Sequence, residues 1–299
     1  CRHLQKFAGE AMALTDLGDI EIMLGNYALA QQYAEQALTA ARKTDFRWGE
    51  TACLGHLADI ARFQGDYTQA QSLYKQVLTL YQEMGHLLAE AVTAGKLGQL
   101  HLQFGDVDRA QTCIEQAFHL LRSLDLPARE TCAATLSRAW LHYLRDKPES
   151  ALVDAEQGWQ MAQQLDGGAS QAAALILVGL IRERLQQAAA AATAYQEALT
   201  IYLALGHHHQ TVEPRAGLAR LALAAGDFTH AQAEVEAILP ILIEQPRAGY
   251  NNPFFTYLTC YRVLATNRDP RAATLLQQGY TLLQQAAAQL DEESRQRFL

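Results

Sequence analysis

The chain has 299 residues, of which 49% are hydrophobic, and it carries a formal net charge of −8 at pH 7. This acidic balance excludes the basic surface that a nucleic-acid footprint requires. The longest apolar stretch, residues 172–181, is too short to cross a bilayer, so we expect this segment to bind neither nucleic acid nor membrane.

One unit of helix, tight turn and helix recurs along the chain. In its clearest copy, residues 57–70, Gly65 can take the left-handed conformation that ends a helix, and Asp66 is a good N-cap. Ala70 is small enough to let two helices approach closely. Equivalent alanines recur every 40 or 41 residues, at Ala30, Ala70, Ala110, Ala151, Ala191, Ala231 and Ala272. Such a period indicates stacked helical hairpins.

The first three units follow the pattern closely. In unit 1 we predict helices over residues 9–24 and 27–42, and units 2 and 3 span about residues 48–84 and 88–124. Residues 1–7 precede the first unit, and we interpret them as the tail of a preceding helix. The sequence is therefore expected to be a piece of a longer protein.

The later units depart from the pattern. The turn of unit 4 lacks a glycine. The turn of unit 5, Gln186-Gln187, lacks both glycine and cap, so we expect the two helices of unit 5 to end less sharply. Unit 6 returns to the pattern, and unit 7 enters through an irregular linker at residues 245–253. We predict a single array over residues 1–299, with a joint near residues 125–168 where the packing of neighbouring hairpins changes.

The two ends show no closing cap. Asp291 begins a fifteenth helix that stops at Leu299, and both ends should expose apolar faces that a neighbouring repeat would cover. We therefore expect residues 1–7 and 294–299 to fray or to pack against another molecule. Self-association through these ends is the corresponding prediction.

The Leu-Gly pair at Leu17-Gly18, followed by Gly25-Asn26-Tyr27 and a later alanine, resembles the tetratricopeptide repeat. The resemblance covers nearly the whole chain, although its period of about 40 residues exceeds the usual ~34. It implies an all-α, right-handed α-solenoid of about seven hairpins plus the start of another helix. Repeats of this length are similar to the C-terminal sensor arrays of bacterial STAND signalling ATPases and transcription activators.

The sequence indicates no catalytic or cofactor site. The pair Gly167-Gly168 lacks the Lys-Ser or Lys-Thr of a phosphate loop, and no nucleophile motif is present. His207-His208-His209 lies in a loop, where consecutive side chains seldom converge on one metal ion. The five cysteines show no CxxC spacing, which favours buried free thiols and a cytoplasmic location. We expect no enzymatic activity, cofactor or metal site.

In the tetratricopeptide family the first helix of each hairpin lines a concave groove. Carried over to this chain, the resemblance gives the candidate binding residues Asp19, Asp59, Arg62, Gln99, Arg138, His142, Glu213, Arg220, Tyr257 and Tyr261. We expect Arg138 and Arg220 to face solvent and to bind an anionic group, next to the apolar surface of the two tyrosines. The main contact surface should lie between units 4 and 7.

Two functions are compatible with these observations. The first is a non-catalytic module that binds a protein or extended peptide in the groove, with a small-molecule inducer as the second choice of ligand. Such a module would be the sensor or interaction domain of a bacterial signalling or transcription-regulating protein. The alternative is a structural scaffold that self-assembles and has no groove ligand. A monomer stabilised by cell extract would favour the first function, and a concentration-dependent oligomer the second.

Overall fold

The computed structural model describes residues 2–43, 47–103, 105–124, 128–165, 168–244, 253–290 and 292–299. These residues form fifteen α-helices and contain no β-strand. In chain order the helices are α1 (Arg2–Leu24), α2 (Tyr27–Arg42), α3 (Arg47–Gln64), α4 (Tyr67–Met84), α5 (Leu87–Gln103), α6 (Val107–Ser123), α7 (Ala128–Leu144), α8 (Pro148–Gln163), α9 (Ala169–Arg184), α10 (Ala188–Ala204), α11 (Val212–Ala224), α12 (Phe228–Glu244), α13 (Pro253–Thr266), α14 (Arg271–Ala288) and α15 (Glu292–Phe298).

The expected all-α solenoid is confirmed. Seven hairpins, from the pair α1 and α2 to the pair α13 and α14, follow one another, and α15 comes after the last. No helix in the described ranges is both long and apolar enough to cross a bilayer. The linker expected at residues 245–253 lies outside the described residues, except for Pro253, which begins α13.

Small residues bring the two helices of each hairpin together. All seven periodic alanines are buried, and a Cβ added at Gly18 or Gly98 on the first helix would lie 3.6 or 3.3 Å from the carbonyl oxygen of Ala30 or Ala110. A Cβ added at Gly98 would lie 2.8 Å from Ile114, and one added at Gly179 would lie 2.7 Å from the ring of Tyr195. Non-bonded carbon atoms do not approach this closely, so only glycine fits at these two positions. The residues that repeat every 40 or 41 positions therefore mark where the two helices of a hairpin pack most closely.

The described cysteines are free thiols. Cys53, Cys132 and Cys260 are buried and Cys113 is half-buried, as the sequence predicts, whereas Cys1 lies outside the described residues. Burial raises the pKa of the Cys260 thiol to about 12. This thiol is therefore protonated and unreactive at neutral pH.

Each hairpin turn contains one residue in the left-handed conformation. These residues are Gly25, Gly65, Gly105, Asp146, Gln186, Gly226 and Arg268, with φ between 56° and 80°. Three of the seven are not glycine, so the turns of units 4, 5 and 7 adopt the same conformation with side chains that strain it.

The expectation that the unit 5 helices end less sharply is wrong. The backbone N–H of Gln186 donates to Glu183 O at 3.0 Å, and that of Gln187 donates to Arg182 O at 2.9 Å. The glycine turns form the same pair of bonds, which satisfies the last carbonyl groups of a helix. These bonds stabilise the turn even where glycine is missing. The joint near residues 125–168 stays a prediction, and residues 125–127 and 166–167 lie outside the described residues.

The array curves until distant hairpins touch. The side-chain amide of Gln210 donates to Met23 O at 3.5 Å across 187 residues, and the Thr68 hydroxyl donates to Gln289 O across 221 residues. Both separations correspond to about five repeats. The solenoid therefore completes one superhelical turn within about five hairpins.

The chain ends differ from the expectation. Residues 2–7, interpreted as the tail of a preceding helix, form the first turns of α1. At the other end, Ser294 is buried and Arg297 forms an ion pair with Asp106 at 2.7 Å. Residues 294–299 therefore pack against their own chain rather than fraying, because the superhelical turn carries α15 back to the third hairpin.

We predict that Gln186→Gly raises the free energy of unfolding by about 0.5–1 kcal/mol. Removing roughly 1–2 kcal/mol of left-handed strain outweighs the roughly 0.4–1 kcal/mol of unfolded-state entropy that glycine adds. Urea unfolding followed by circular dichroism measures the change. The matched control is Gly226→Ala, where an added Cβ meets nothing within 4 Å, so only the backbone effect remains and stability should fall. A Gln186→Gly protein less stable than wild type would contradict this explanation of the turn.

Candidate binding groove

The first helices of five consecutive hairpins line one groove. Residues of α5, α7, α9, α11 and α13 surround a cavity of about 250 Å³. Its wall is mainly apolar and includes Leu102, Leu136, Trp140, Ile176, Leu180 and Phe255. The polar groups at the cavity are few, as in most binding pockets; they include Gln99, Ser137, Glu213 and Arg220.

Helix periodicity explains why these residues share a surface. In α9, Ala173, Ile176 and Leu180 lie three and four residues apart and therefore on one face of the helix. Ala172 and Val178 lie on the other faces of α9 and are buried in the core. Each first helix thus presents one face to its partners and another to the groove.

Arg220 is held by an ion pair inside the chain. Its Nε and Nη2 donate to the two carboxylate oxygens of Glu183, each at 2.8 Å, and Nη2 also donates to the Tyr195 hydroxyl at 3.2 Å. The guanidinium lies 4.3 Å from the centre of the Phe255 ring. Burial is the largest single effect and lowers the pKa of Arg220, but the hydrogen bonds and charges of Glu183 and Tyr195 together outweigh it and raise the pKa above its usual value.

The expectation that Arg220 faces solvent is therefore wrong. Its side chain is only 13% exposed, and its charge is already balanced by Glu183. A ligand anion would have to displace that carboxylate, so Arg220 shapes the polar end of the groove without offering a vacant cation site.

Arg138 and His142 do not line the groove. Arg138 donates to both carboxylate oxygens of Asp154 on α8, at 2.8 and 2.6 Å, and its guanidinium lies 4.3 Å from the Phe118 ring of α6. His142 Nδ1 lies 3.1 Å from the same carboxylate. Both residues border a separate cavity of about 640 Å³ between α6 and α7. Their placement in the groove is therefore wrong.

The N-terminal candidates also have partners within the chain. Asp59 accepts hydrogen bonds from Lys96 at 2.6 Å and from the Tyr74 hydroxyl at 2.5 Å. Desolvation raises the pKa of Asp59, but Lys96 and Arg62 outweigh it and hold the value below its usual range. The Arg62 guanidinium lies 4.2 Å from the Phe63 ring.

The remaining candidate binding residues are Asp19, Tyr257 and Tyr261, and they lie outside the groove. Asp19 lies 2.8 Å from His56 Nδ1 and away from the groove. Tyr257 is 4% exposed, and its ring lies against Gly279, so it belongs to the core. Tyr261 is half-buried and packs against the same core. Tyr257 and Tyr261 therefore do not supply the surface expected in the groove, and Trp140, Tyr195 and Phe255 supply the aromatic rings there.

Three of the ten predicted residues line the groove, namely Gln99, Glu213 and Arg220. Gln99 donates from its side-chain amide to the Ser137 hydroxyl at 2.8 Å, which links neighbouring first helices. Trp140 and Phe255 were missed because they lie one position away from the faces that the repeat comparison selected. A search for aromatic residues near these faces could have found them.

The triple histidine forms part of a turn between hairpins. His208 begins a short 3-10 helix that runs to Thr211. Within the described ranges, no group of three or more His, Cys, Asp and Glu side chains could hold a metal ion. Burial lowers the pKa of His209, which keeps this side chain neutral at physiological pH.

Comparison with known proteins supports the repeat assignment. Residues 50–123 and 11–44 match two tetratricopeptide repeat family models, and no curated protein sequence matches the chain. One similar solved structure is the Rap conjugation gene regulator of plasmid pLS20 in complex with a Phr peptide. It has a TM-score of 0.71 and 12% identity, over 92% of this chain and 74% of that chain.

Two further solved structures are similar. NprR in complex with its cognate peptide NprX has a TM-score of 0.66 and 12% identity, over 98% of this chain and 86% of that one. A Rap protein complexed with competence and sporulation factor has a TM-score of 0.62 and 13% identity, over 97% and 95%. At these identities the likeness shows the fold alone.

The hairpin array and the matched segments define an α-solenoid of the helical-repeat class. Residues 11–44 and 50–123 carry tetratricopeptide repeats, and the whole array shares the fold of the similar solved structures.

We predict that Arg220→Ala lowers the free energy of unfolding by about 2–3 kcal/mol. Truncation leaves the Glu183 carboxylate without its partner; the loss stays below the ~3–5 kcal/mol of a fully buried pair because Glu183 keeps some contact with water. The measurement is urea unfolding monitored by circular dichroism.

Arg42→Ala is the matched control for this substitution. Arg42 forms an exposed ion pair with Glu50 at 2.9 Å, and such pairs contribute about 0–1 kcal/mol. If both variants lost the same free energy of unfolding, the pair between Arg220 and Glu183 would stabilise the fold no more than an exposed ion pair does.

Proposed function

We propose that the groove binds an extended peptide or a helix of a partner protein. The module would serve as the sensor or interaction domain of a bacterial signalling or transcription-regulating protein. The observation that carries the proposal is the groove itself, which the first helices of five consecutive hairpins line with apolar side chains. We propose no catalytic role.

The cavity favours a peptide over a small-molecule inducer. Pockets for drug-sized molecules usually measure about 300–1,000 Å³, whereas this cavity measures about 250 Å³. That space accommodates a few side chains of a longer ligand. An extended chain can place successive side chains along the groove while the rest of it stays outside the cavity.

The chemistry of the wall favours apolar ligand side chains. Trp140, Ile176 and Phe255 offer apolar surface, whereas Arg220 is already paired with Glu183. We therefore no longer expect an anionic group to be the main determinant. Apolar anchors supply the binding free energy, and polar groups such as Gln99 orient the ligand.

The similar structures support a peptide ligand and a regulatory setting. The Rap regulator of pLS20 and NprR are both described as peptide complexes, and the first is described as a gene regulator. The long repeat period adds the resemblance to STAND-type sensor arrays. A cytoplasmic location, which the free thiols favour, is part of the same proposal.

Self-assembly through exposed ends, without a groove ligand, is the less favoured function. The C-terminal helix α15 packs against its own chain, and the Ser294 side chain is buried. This contact covers one of the two apolar ends on which the alternative depends.

The test uses Ala173→Arg, which places a long charged side chain in the groove. Ala173 is exposed and lines the cavity, so the change should block binding without disturbing the core. Peptides are selected from a random displayed library against the wild-type protein, and the affinity of one labelled peptide is measured by fluorescence anisotropy. We expect Ala173→Arg to weaken it by about tenfold or more, which corresponds to ~1.4 kcal/mol.

Ala233→Arg is the matched control. Ala233 is also exposed within a helix, but it lies on the second helix α12 and does not border the cavity. Its affinity should equal that of wild type. Failure to select any peptide, or equal binding by both variants, would refute the groove as the binding site.

A further inference from the structure

Helix α15 is bound to the turn of the third hairpin by ion pairs. Arg297 Nη1 lies 2.7 Å from Asp106 Oδ1, and Arg109 Nη2 lies 3.0 Å from Glu293 Oε2. Arg297 Nη2 also lies 2.8 Å from Glu293, so the four groups form one network. The Asp106 side chain is only 1% exposed, which makes its pairing more consequential than that of a surface carboxylate.

Aromatic contacts reinforce the same interface. The ring of Phe298 meets Tyr67 edge-on at 6.3 Å between centroids and meets Phe254 edge-on at 5.7 Å. Leu290, just before α15, belongs to the same buried cluster as Tyr67. Gly105 permits the approach, since a Cβ there would lie 3.2 Å from the carbonyl oxygen of Arg297.

The interface lies next to both ends of the groove. Asp106 follows closely after Gln103, the last residue of α5, which lines one end of the cavity. Phe254 directly precedes Phe255, which lines the other end on α13. Helix α15 therefore contacts Asp106, in the turn that follows α5, and Phe254, in the first turn of α13, and these are the first and last helices of the groove.

We propose that α15 is a clasp that sets the separation of α5 and α13, and that clasp closure and ligand binding in the groove stabilise each other. The ligand half of this inference rests on the proposed function, whereas the closure half does not. A ligand that contacts both α5 and α13 favours the closed array. By linkage, a closed array binds that ligand more tightly by the same factor.

The closed clasp also lowers the cost of binding. A groove whose two ends are already held at the right separation loses less conformational freedom when the ligand arrives. Releasing α15 leaves the ends free to move apart through the small hinge motions available at each hairpin. The affinity should then fall although no groove residue has changed.

The test compares Phe298→Ala and Arg297→Ala with the control Gln296→Ala. Gln296 is exposed, and the bond from its side-chain amide stays within α15, to Glu292 at 3.1 Å. Hydrogen exchange of the full chain, read by mass spectrometry without ligand, should show faster exchange in α15, α5 and α13 for the two test variants only. Circular dichroism confirms that the other helices are retained.

The second measurement is the affinity for a peptide selected on the wild-type protein. We expect the two test variants to bind it about fivefold or more weakly, within the usual range of coupling between sites. We also expect the peptide to slow exchange in α15 of the wild type. The control should match wild type in both measurements.

The possible outcomes test the closure by α15 and its coupling to ligand binding separately. Unchanged exchange in α5 and α13 after release of α15 overturns the clasp, whether or not a peptide is found. Faster exchange with unchanged affinity overturns the coupling and leaves the proposed function intact. If no peptide binds the wild type, the proposed function fails, and the coupling fails with it, while the exchange result still decides the closure.

Discussion

The close packing of two helices at one small residue on each helix is the constraint on which the rest of the structure depends. Ala110 and Gly98 allow this approach in the third hairpin, where a Cβ added at Gly98 would lie 3.3 Å from the carbonyl oxygen of Ala110 and 2.8 Å from Ile114. Because the same approach recurs every 40 or 41 residues, each hairpin packs on the next in a similar way. The repetition places the first helices side by side, and their free faces form the groove.

The fold could be predicted from sequence because its determinants are local. A glycine or small residue, a cap and an apolar stripe within one repeat define each hairpin, and the array follows by repetition. The binding residues were harder to predict because charges on first helices find partners elsewhere. Arg220 pairs with Glu183, 37 residues earlier, and Arg138 pairs with Asp154 on the following helix. The repeat indicates a face but not these partners.

The contact between the third hairpin and α15 was also beyond sequence reasoning. Asp106 and Arg297 are 191 residues apart, and whether they meet depends on the rotation between successive hairpins, added over about five repeats. A small difference in that rotation would place α15 far from Asp106. The period of a sequence fixes the length of a repeat, whereas the radius of the superhelix depends on the packing of many side chains together.

Closure of the superhelical turn restricts how this chain can evolve. An open solenoid can gain or lose a hairpin by duplication or deletion, because each repeat contacts only its neighbours. Here the number of hairpins between Asp106 and Arg297 determines whether the two residues meet. Inserting or deleting one whole repeat would leave the buried carboxylate of Asp106 without Arg297, so the number of repeats is itself a requirement of this contact.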